Sequence, residues 1–531
     1  MRRSLLAIAL ASGVACRPAA PPPPPPALTV VGESTRLRME APRPAKTAWF
    51  DGTRVSLVAV RGETIGFQVV LRTPAPIVFT LATVDGMTLT AFDVESFKVV
   101  HPSTAMYGGS QGRGTYPDGL RPSATPGTAT TNPGYFEIVV GPSVPAGVYA
   151  GELVAGAQRV PVSLEVAPAS IPPLAVGVWA YGDPRELVWA TNATGGPGSL
   201  ASLGPVAREP RSNPNPNPPN AGDPPRAEPS PTERSCIEMF RAHGILLSPD
   251  IHPEWWETRK ALMTGMRDVP VWIPTEPTEA AEAVRGWIER TQGTCMLPFA
   301  IPIDEPRNAD KQAKLKALAT AVREAGGGPT TFRLAVTTDI DTARWGNMID
   351  LYISLYAKRD DAVPRWTYNG APPHAGSFLL DGVSPGARTW GWIAWRWNIS
   401  LWYVWDALYW HDRHNRNGAP LPGKPLVPAT DPTSFNDGGD HGNFDGVLAL
   451  PAPGGCLRTL RLATIRRGQQ DKALLDKAAT CNRTKTEELA ARIVPRALGD
   501  APKKSAQSWS ADESDWERGR RELIQLATCA P

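Results

Sequence analysis

From about residue 28 to 166 the chain alternates apolar and polar positions over short runs broken by turns, among them RVSLVAV, ETIGFQVVLR, FDVESFKVV, GYFEIVVG, GVYAGELVAG and VPVSLEVAP. Successive strand residues point to opposite faces, so this period of two predicts half-buried strands. Many such runs with frequent turns predict an N-terminal antiparallel β-sandwich over 28–167. After Ser170-Ile171-Pro172-Pro173 the rhythm changes. Apolar runs without alternation, the mark of strands covered on both faces, occur at LAVGVWAY (174–181), ILLSPDI (245–251), VPVWIPT (269–275), MLPFAIPI (296–303), TFRLAVTTD (331–339), DLYISLY (350–356), SLWYVWD (400–406) and GVLALPA (446–452). Helical spacing fills several of the gaps: PTEAAEAVRGWIERT opens on Pro277 with early acids, and ADKQAKLKALATAVREAGGG closes on glycines. Eight strands with intervening helices predict an α/β (β/α)8 barrel over 168–475, a doubly wound open sheet being the alternative. Past Ala452, apolar residues at helical spacing predict packing helices and a C-terminal helical tail over 476–531, with Arg466-Arg467 on a solvated helix face.

Two segments fall outside this pattern. Residues 192–232 contain TGGPGS, RSNPNPNPPN and DPPRAEPSPT, a composition that buries too little apolar area to offset its ordering entropy, and they read as a disordered insertion in the barrel. The first 16 residues, MRRSLLAIALASGVAC, have a basic start, a short apolar core and small residues, which predicts a signal peptide and an exported protein. GVAC resembles a bacterial lipoprotein cleavage site, with Gly13 where Leu is usual. Cys16 is then a lipid-attachment residue, and the Pro-rich stretch 17–27 a stiff spacer from a membrane. The expected location is the cell envelope, or otherwise the periplasm or the medium.

A length of 531 residues suits two folded units plus tails. The 55 basic and 52 acidic side chains leave a net charge of +3, which offers no field for nucleic acid. With Cys16 lipidated, Cys236, Cys295, Cys456, Cys481 and Cys529 remain, so at least one is unpaired; Cys456 with Cys481 is the first pair to test. None of the spacings suits a metal, and neither metal nor cofactor is expected.

Chemistry shows most plainly in MLPFAIPIDEPRNAD. An apolar run stops at two adjacent carboxylates, Asp304 and Glu305, and Pro306 closes it. In parallel sheets and barrels the C-terminal strand ends carry the chemistry, and carboxylates beside buried surface are rare unless paired or functional. Asp512-Glu513, by contrast, lies in a polar tail. A second cluster, RTWGWIAWRWNISLWYVWDALYWHDRHN, holds seven of the 18 tryptophans, near Asp406, His411 and Asp412. Core packing and stacking on a sugar face explain it equally well.

Together these stretches resemble glycoside hydrolase family 123 and its wider catalytic-domain relatives. GETIGFQVVL, a strand ending IDEP, GARTWGWIAWRWNISLWYVWDALYW, and GDHGNFDGVLALPAP followed by LRTLRLATIRRGQQDKALL occur in the family's order, across roughly residues 53–475 apart from the Pro-rich insertion. The resemblance implies a retaining hydrolase of β-linked N-acetylhexosaminides, N-acetylgalactosaminide-like, that has no enzyme nucleophile. The substrate's own 2-acetamido oxygen attacks the anomeric carbon. By that likeness Asp304 orients the acetamido group and Glu305 protonates the leaving oxygen, then activates water. Such substrate-assisted enzymes stand outside the two-carboxylate nucleophile scheme. Because neighbouring strand residues point oppositely, both acids reach one substrate only if the backbone turns near Pro306. Position at strand ends adds Tyr356, Tyr368, Trp405 and Asp406 as sugar contacts, and more weakly His252, Trp255 and Trp256. The expected partner is a glycan; the oligomeric state does not follow. Two alternatives remain: a non-catalytic glycan-binding surface lipoprotein, and a retaining glycosidase whose nucleophile, about 5 Å from Glu305, is Asp339, Asp406 or Asp445.

Overall fold

The computed structural model describes residues 27–105, 108–182, 228–359, 365–409, 433–436, 439–452 and 455–529. Cys16, the signal and spacer up to residue 26, most of the Pro-rich insertion, His411 and Asp412 lie outside the described residues.

The central element is an eight-stranded sheet of β1 (Val178–Ala180), β2 (Ile245–Leu247), β3 (Asp268–Pro270), β4 (Leu297–Ala300), β5 (Arg333–Val336), β6 (Leu351–Ile353), β7 (Arg365–Tyr368) and β8 (Leu401–Val404). Consecutive strands pair in parallel except β2 with β3, and β8 pairs with β1. The two edges, β2 and β3, meet one step further on. There Ile251 pairs with Val271, the Ile251 N–H bonding to Pro270 O at 3.0 Å and the Trp272 N–H to Ile251 O at 3.0 Å. The sheet thus curls shut into a barrel, which removes the exposed strand edges an open sheet would keep. Its interior is aromatic. Trp179 stacks on Tyr403 at 4.6 Å and meets Phe299 edge-on at 5.1 Å, and Phe299 meets Trp366 at 4.7 Å.

Helices cover the outside where the sequence gives them an apolar stripe and a cap. In α1 (Pro231–Arg241) the Ser230 hydroxyl accepts the Glu233 N–H while Glu233 accepts the Ser230 N–H, a reciprocal cap. Helix α2 (Pro277–Thr291) buries Ala280, Val284, Trp287 and Thr291, and α3 (Ala309–Glu324) buries Leu315, Leu318, Ala319 and Val322, capped by Asn308. Trp390, Trp392 and Trp397, on or just beyond α4 (Thr389–Arg396), and Trp402 on β8 are fully buried, with Trp390 stacked on Trp402 at 4.8 Å. Most of the described tryptophan cluster is therefore core.

The eight-strand expectation had one wrong member. GVLALPA is not a barrel strand: residues 450–452 form a hairpin with 455–459, which joins the sheet of the N-terminal region. The true seventh strand, β7, was missed because it is four residues long and carries Arg365 and no apolar run. Two sheets occupy the N-terminal region. A seven-stranded sheet runs in the order 28–32, 63–71, 134–140, 87–99, 114–122, 455–459, 450–452, and a five-stranded sheet in the order 55–61, 158–170, 147–155, 77–81, 128–129. They share one apolar core, in which Phe67 and Phe136 from the first sheet meet Phe79 from the second at 5.4 and 5.5 Å.

The long helix α5 (Leu460–Ile493) follows the hairpin, capped by Thr459 and kinked at Asn482, and α6 (Glu513–Ala527) packs on it. The expected tail boundary at residue 476 falls inside α5. Disulfides join Cys236 to Cys456 and Cys481 to Cys529, leaving Cys295 free, so the Cys456–Cys481 pairing is corrected: both cysteines have partners more distant in sequence. No helix among the described residues is long and apolar enough to cross a membrane.

The expectation of a solvated Arg466-Arg467 face is also overturned. Residues 460–471 of α5 are buried on all sides, and the arginines there pair with acids from remote parts of the chain. Arg466 bonds Glu33 and Glu137, each at 2.9 Å; Arg467 bonds Glu63 and, at 3.1 Å, Glu517; Arg461 bonds Asp118 at 2.8 Å. Fully buried Arg520 on α6 bonds Asp471 and Glu63, and Arg388 bonds Asp471 and Glu513. For Glu137, burial opposes the charged form, but Arg466 and Arg458 outweigh it and hold the carboxyl at about 2. A depressed carboxyl stabilises the fold above its unfolded value near 4.5 and loses that contribution as pH falls toward 2. Arg466→Met is therefore expected to destabilise by roughly 3–5 kcal/mol at neutral pH. In melting curves recorded from pH 7 downward, its gap to wild type should narrow below about 4.5; a gap unchanged with pH would refute the coupling.

Candidate functional site

Strand β4 is buried along its whole length, and pairing stops at Ala300. The chain runs on through buried Ile303 to Asp304 and Glu305, at the C-terminal end of the barrel. The expected turn at Pro306 comes one residue earlier. Glu305 has φ of +43°, a left-handed conformation that costs a residue with a side chain about 1–3 kcal/mol. One hydroxyl braces it. Thr337, directly after β5, accepts the Glu305 N–H at 2.9 Å and donates its own proton to Asp304 Oδ1. On the other side Lys311 Nζ, in the first turn of α3, donates to Asp304 O at 2.8 Å, and the Arg307 N–H donates to Glu305 O at 2.7 Å. The twist at Glu305 breaks the strand alternation that would otherwise have sent the two carboxylates apart.

Their electrostatics differ from those of a structural ion pair. Burial and the charge of Asp304 raise the Glu305 carboxyl above the usual range, while Arg307 and Lys311 pull it back only in part. Arg307 Nη2 lies 2.7 Å from Glu305, but Arg307 is 78% exposed and Glu305 34%, so solvent screens the pair. Tyr368 closes β7 at the same end of the barrel. Burial, then Glu305 and then Asp304, push its phenol well above the ordinary value, so it keeps its proton. Tyr403 on β8 is raised likewise, by burial and then by Asp304, Asp250 and Asp406. Asp250 follows β2; burial pushes its carboxyl up to about 7, and its Oδ1 accepts no hydrogen bond.

Of the residues expected from sequence, Asp304, Glu305 and Tyr368 share one electrostatic neighbourhood, which Asp406 reaches through Tyr403. Asp406 Oδ1 also accepts the Leu408 N–H at 2.7 Å. Tyr356 is 38% exposed and influences Tyr368 weakly; its ring meets His374 and lies 4.7 Å from Lys503 Nζ. The Trp405 indole donates to buried Asp445 at 2.9 Å, and its ring meets Tyr409 and Phe435. His252 stacks on Trp272 at 4.6 Å, and Trp255 and Trp256 are core. Asp339 accepts from Ser354 at 3.0 Å and is exposed. The carboxylate that acts most strongly on Glu305 is Asp304, not Asp339, Asp406 or Asp445. No group of three or more metal-ligating side chains occurs among the described residues. Chemically, this end of the barrel offers a carboxyl whose charged form is disfavoured, a second that accepts from the Thr337 hydroxyl, and two phenols that keep their protons. Sequence reasoning missed Thr337, Tyr403 and Asp250; the last carried the same signal as Asp304, an acid after a charge-free apolar run.

No family model matches the chain, and no curated protein matches it in sequence. Among solved structures, a family 123 glycoside hydrolase from Clostridium perfringens, studied for glycolipid glycan hydrolysis, aligns over 94% of this chain and 97% of its own, at 10% identity and a TM-score of 0.59. A family 2 glycosyl hydrolase from Bacteroides cellulosilyticus aligns over 66% of this chain and 44% of its own, at 11% identity and a TM-score of 0.26. A Bacteroides ovatus family 5 xyloglucanase with a bound heptasaccharide covers 78% of this chain and 98% of its own, at 10% identity and a TM-score of 0.23. The last two scores are too low to carry a fold argument. The first extends over nearly the whole of both chains, and the chain therefore has the fold of a family 123 glycoside hydrolase.

Proposed function

We propose that this protein is a glycoside hydrolase that cleaves β-linked N-acetylhexosaminides with the help of the substrate's acetamido group. The observation that carries the reading is the left-handed turn at Glu305, braced by Thr337, which sets two adjacent carboxylates of unequal character at the mouth of a barrel. Glu305, with its raised pKa, is the general acid: it protonates the glycosidic oxygen as the C–O bond breaks, then takes a proton from the water that opens the intermediate. Asp304 accepts from the acetamido N–H and stabilises the positive charge that forms as the acetamido oxygen attacks the anomeric carbon. Its hydrogen bond from Thr337 fixes its direction, so little orientation remains to be lost in the transition state. The two disulfides suit an exported protein, and Cys16 is read as its lipid attachment.

Glu305→Gln and Asp304→Asn should each lower kcat/KM on aryl 2-acetamido β-glycosides by about 10²–10⁴-fold. The corresponding 2-hydroxy glycosides should be poor substrates even for wild type. Equal turnover of both series would exclude acetamido participation, and unimpaired mutants would exclude the site. Because Arg307 lowers the Glu305 carboxyl, Arg307→Gln should keep Glu305 protonated to higher pH and move the alkaline limb of the kcat/KM profile upward. Added salt should shrink that difference, and a shift to lower pH would contradict the assignment. Finally, wild type grown with labelled palmitate should take up the label and Cys16→Ser should not; unlabelled wild type would rule out a lipid anchor at this residue.

A further inference from the structure

Among the described residues, six other than glycine have a left-handed backbone, and three of these, Glu305, Asn369 and Phe444, lie in connections that leave the C-terminal ends of β4, β7 and β8. Backbone strain of this kind gathers at functional sites. At Glu305 it turns the two acids. Asn369 and Phe444 belong to other loops, and the hydrogen bonds around both lead to one residue, Trp405, which directly follows β8.

Asn369 comes after Tyr368 and is buried. It makes three hydrogen bonds to the end of β8: its N–H donates to Tyr403 O at 2.8 Å, its O accepts the Trp402 indole N–H at 2.6 Å, and its Oδ1 accepts the Trp405 backbone N–H at 3.1 Å. Asparagine tolerates a left-handed backbone, but a bulky side chain such as Phe444, at φ of +52°, is an outlier there. Arg461 Nη1 holds it by donating to Phe444 O at 3.0 Å, and its ring meets Phe97 edge-on at 4.8 Å. The next residue is Asp445, whose Oδ1 accepts the Trp405 indole N–H at 2.9 Å. Gly446 follows at φ of +73°, and a Cβ there would lie 2.6 Å from the Trp405 ring, so the indole rests on bare backbone. Tyr409 and Phe435 meet that ring at 4.9 and 6.0 Å. Main chain, indole N–H and ring are thus all fixed. Trp405 is nevertheless only half-buried, whereas Trp402, two residues earlier, is 1% exposed.

We propose that Asn369 and Asp445 are positioning residues that hold Trp405 as a rigid platform for the apolar C–H face of a pyranose ring. The inference rests on the glycosidase reading above. An aromatic side chain offers a large apolar surface, and here its one polar group is already satisfied by Asp445. A ring fixed before the sugar arrives has little freedom left to lose on binding, so its contribution is realised as affinity.

The test uses the full chain carrying Glu305→Gln, so that sugar binds without turnover, and calorimetry with methyl β-glycosides of N-acetylgalactosamine and N-acetylglucosamine. Trp405→Ala should weaken binding of the preferred sugar about 2–12-fold, the range of an aromatic contact. Asn369→Gly keeps the left-handed turn and removes the acceptor for the Trp405 N–H; Asp445→Ala removes the acceptor for the indole. Each should weaken binding while Trp405 is present and cost nothing further once Trp405 is alanine, a non-additivity that a general support of the fold would not show. Asp445→Asn keeps an acceptor oxygen and should bind as the parent does. If Asp445→Ala does not fold, the cycle with Asn369→Gly decides alone. Losses that simply add in the double variants would overturn the positioning role, and undiminished affinity in Trp405→Ala would overturn the platform. Sugar bound equally well without Trp405 removes only this inference; no sugar binding together with no wild-type turnover removes the glycosidase reading and this inference together.

Discussion

The structure depends on a lattice of buried charge along the first half of α5. Arg461, Arg466 and Arg467 on that helix, with Arg388 from the barrel and Arg520 from α6, find their counter-charges on Glu33, Glu63, Asp118 and Glu137 of the paired sheets and on Asp471, Glu513 and Glu517 of the helices. Moving such ions out of water costs several kcal/mol each, and the return comes only when each finds its partner in good geometry. Apolar surfaces can slide on one another; a lattice of this kind cannot. It sets one docking of sheets, barrel and helices and penalises near misses, the use for which buried polar groups are best attested.

That rigidity bears on the barrel mouth. A residue kept at positive φ persists only if its surroundings over-determine it, and Glu305 has the Thr337 hydroxyl, the Lys311 ammonium on the neighbouring carbonyl, and a closed ring of strands beneath. The strain is local while the support is distributed. Such a division suits a site whose acid must stand in one place while its protonation state changes.

Much of this was legible in the sequence, and the failures share a cause. The run MLPFAIPI located both a buried strand and the acids at its end, because burial on two faces leaves a mark that needs no knowledge of partners. GVLALPA bears the same mark and belongs to another sheet, since an apolar run records burial and not which sheet provides it. The four residues of β7 include a buried arginine and gave no such mark. Arg466-Arg467 looked solvated because most of its acids, Glu33, Glu63 and Glu137, lie hundreds of positions away, and the cysteine pairing failed for the same reason, Cys236 and Cys456 being 220 residues apart. The site followed this division. Asp304 and Glu305 were found from local context, but their brace on Thr337 belongs to another strand, and the turn at Glu305 rather than Pro306 is a matter of backbone angle that no side-chain pattern records.

The hairpin that joins the seven-stranded sheet has a consequence for how the chain is made. Residues 455–459 pair with 114–122, so one edge of the N-terminal sheet stays open during synthesis until more than three hundred further residues have left the ribosome. An unpaired strand edge is a template for association with other chains, and long-range pairing is slow to form. The order in which the ribosome delivers the parts and the order in which the fold completes them are therefore opposed. Until residues 455–459 are available, that edge has no partner from the later part of the chain.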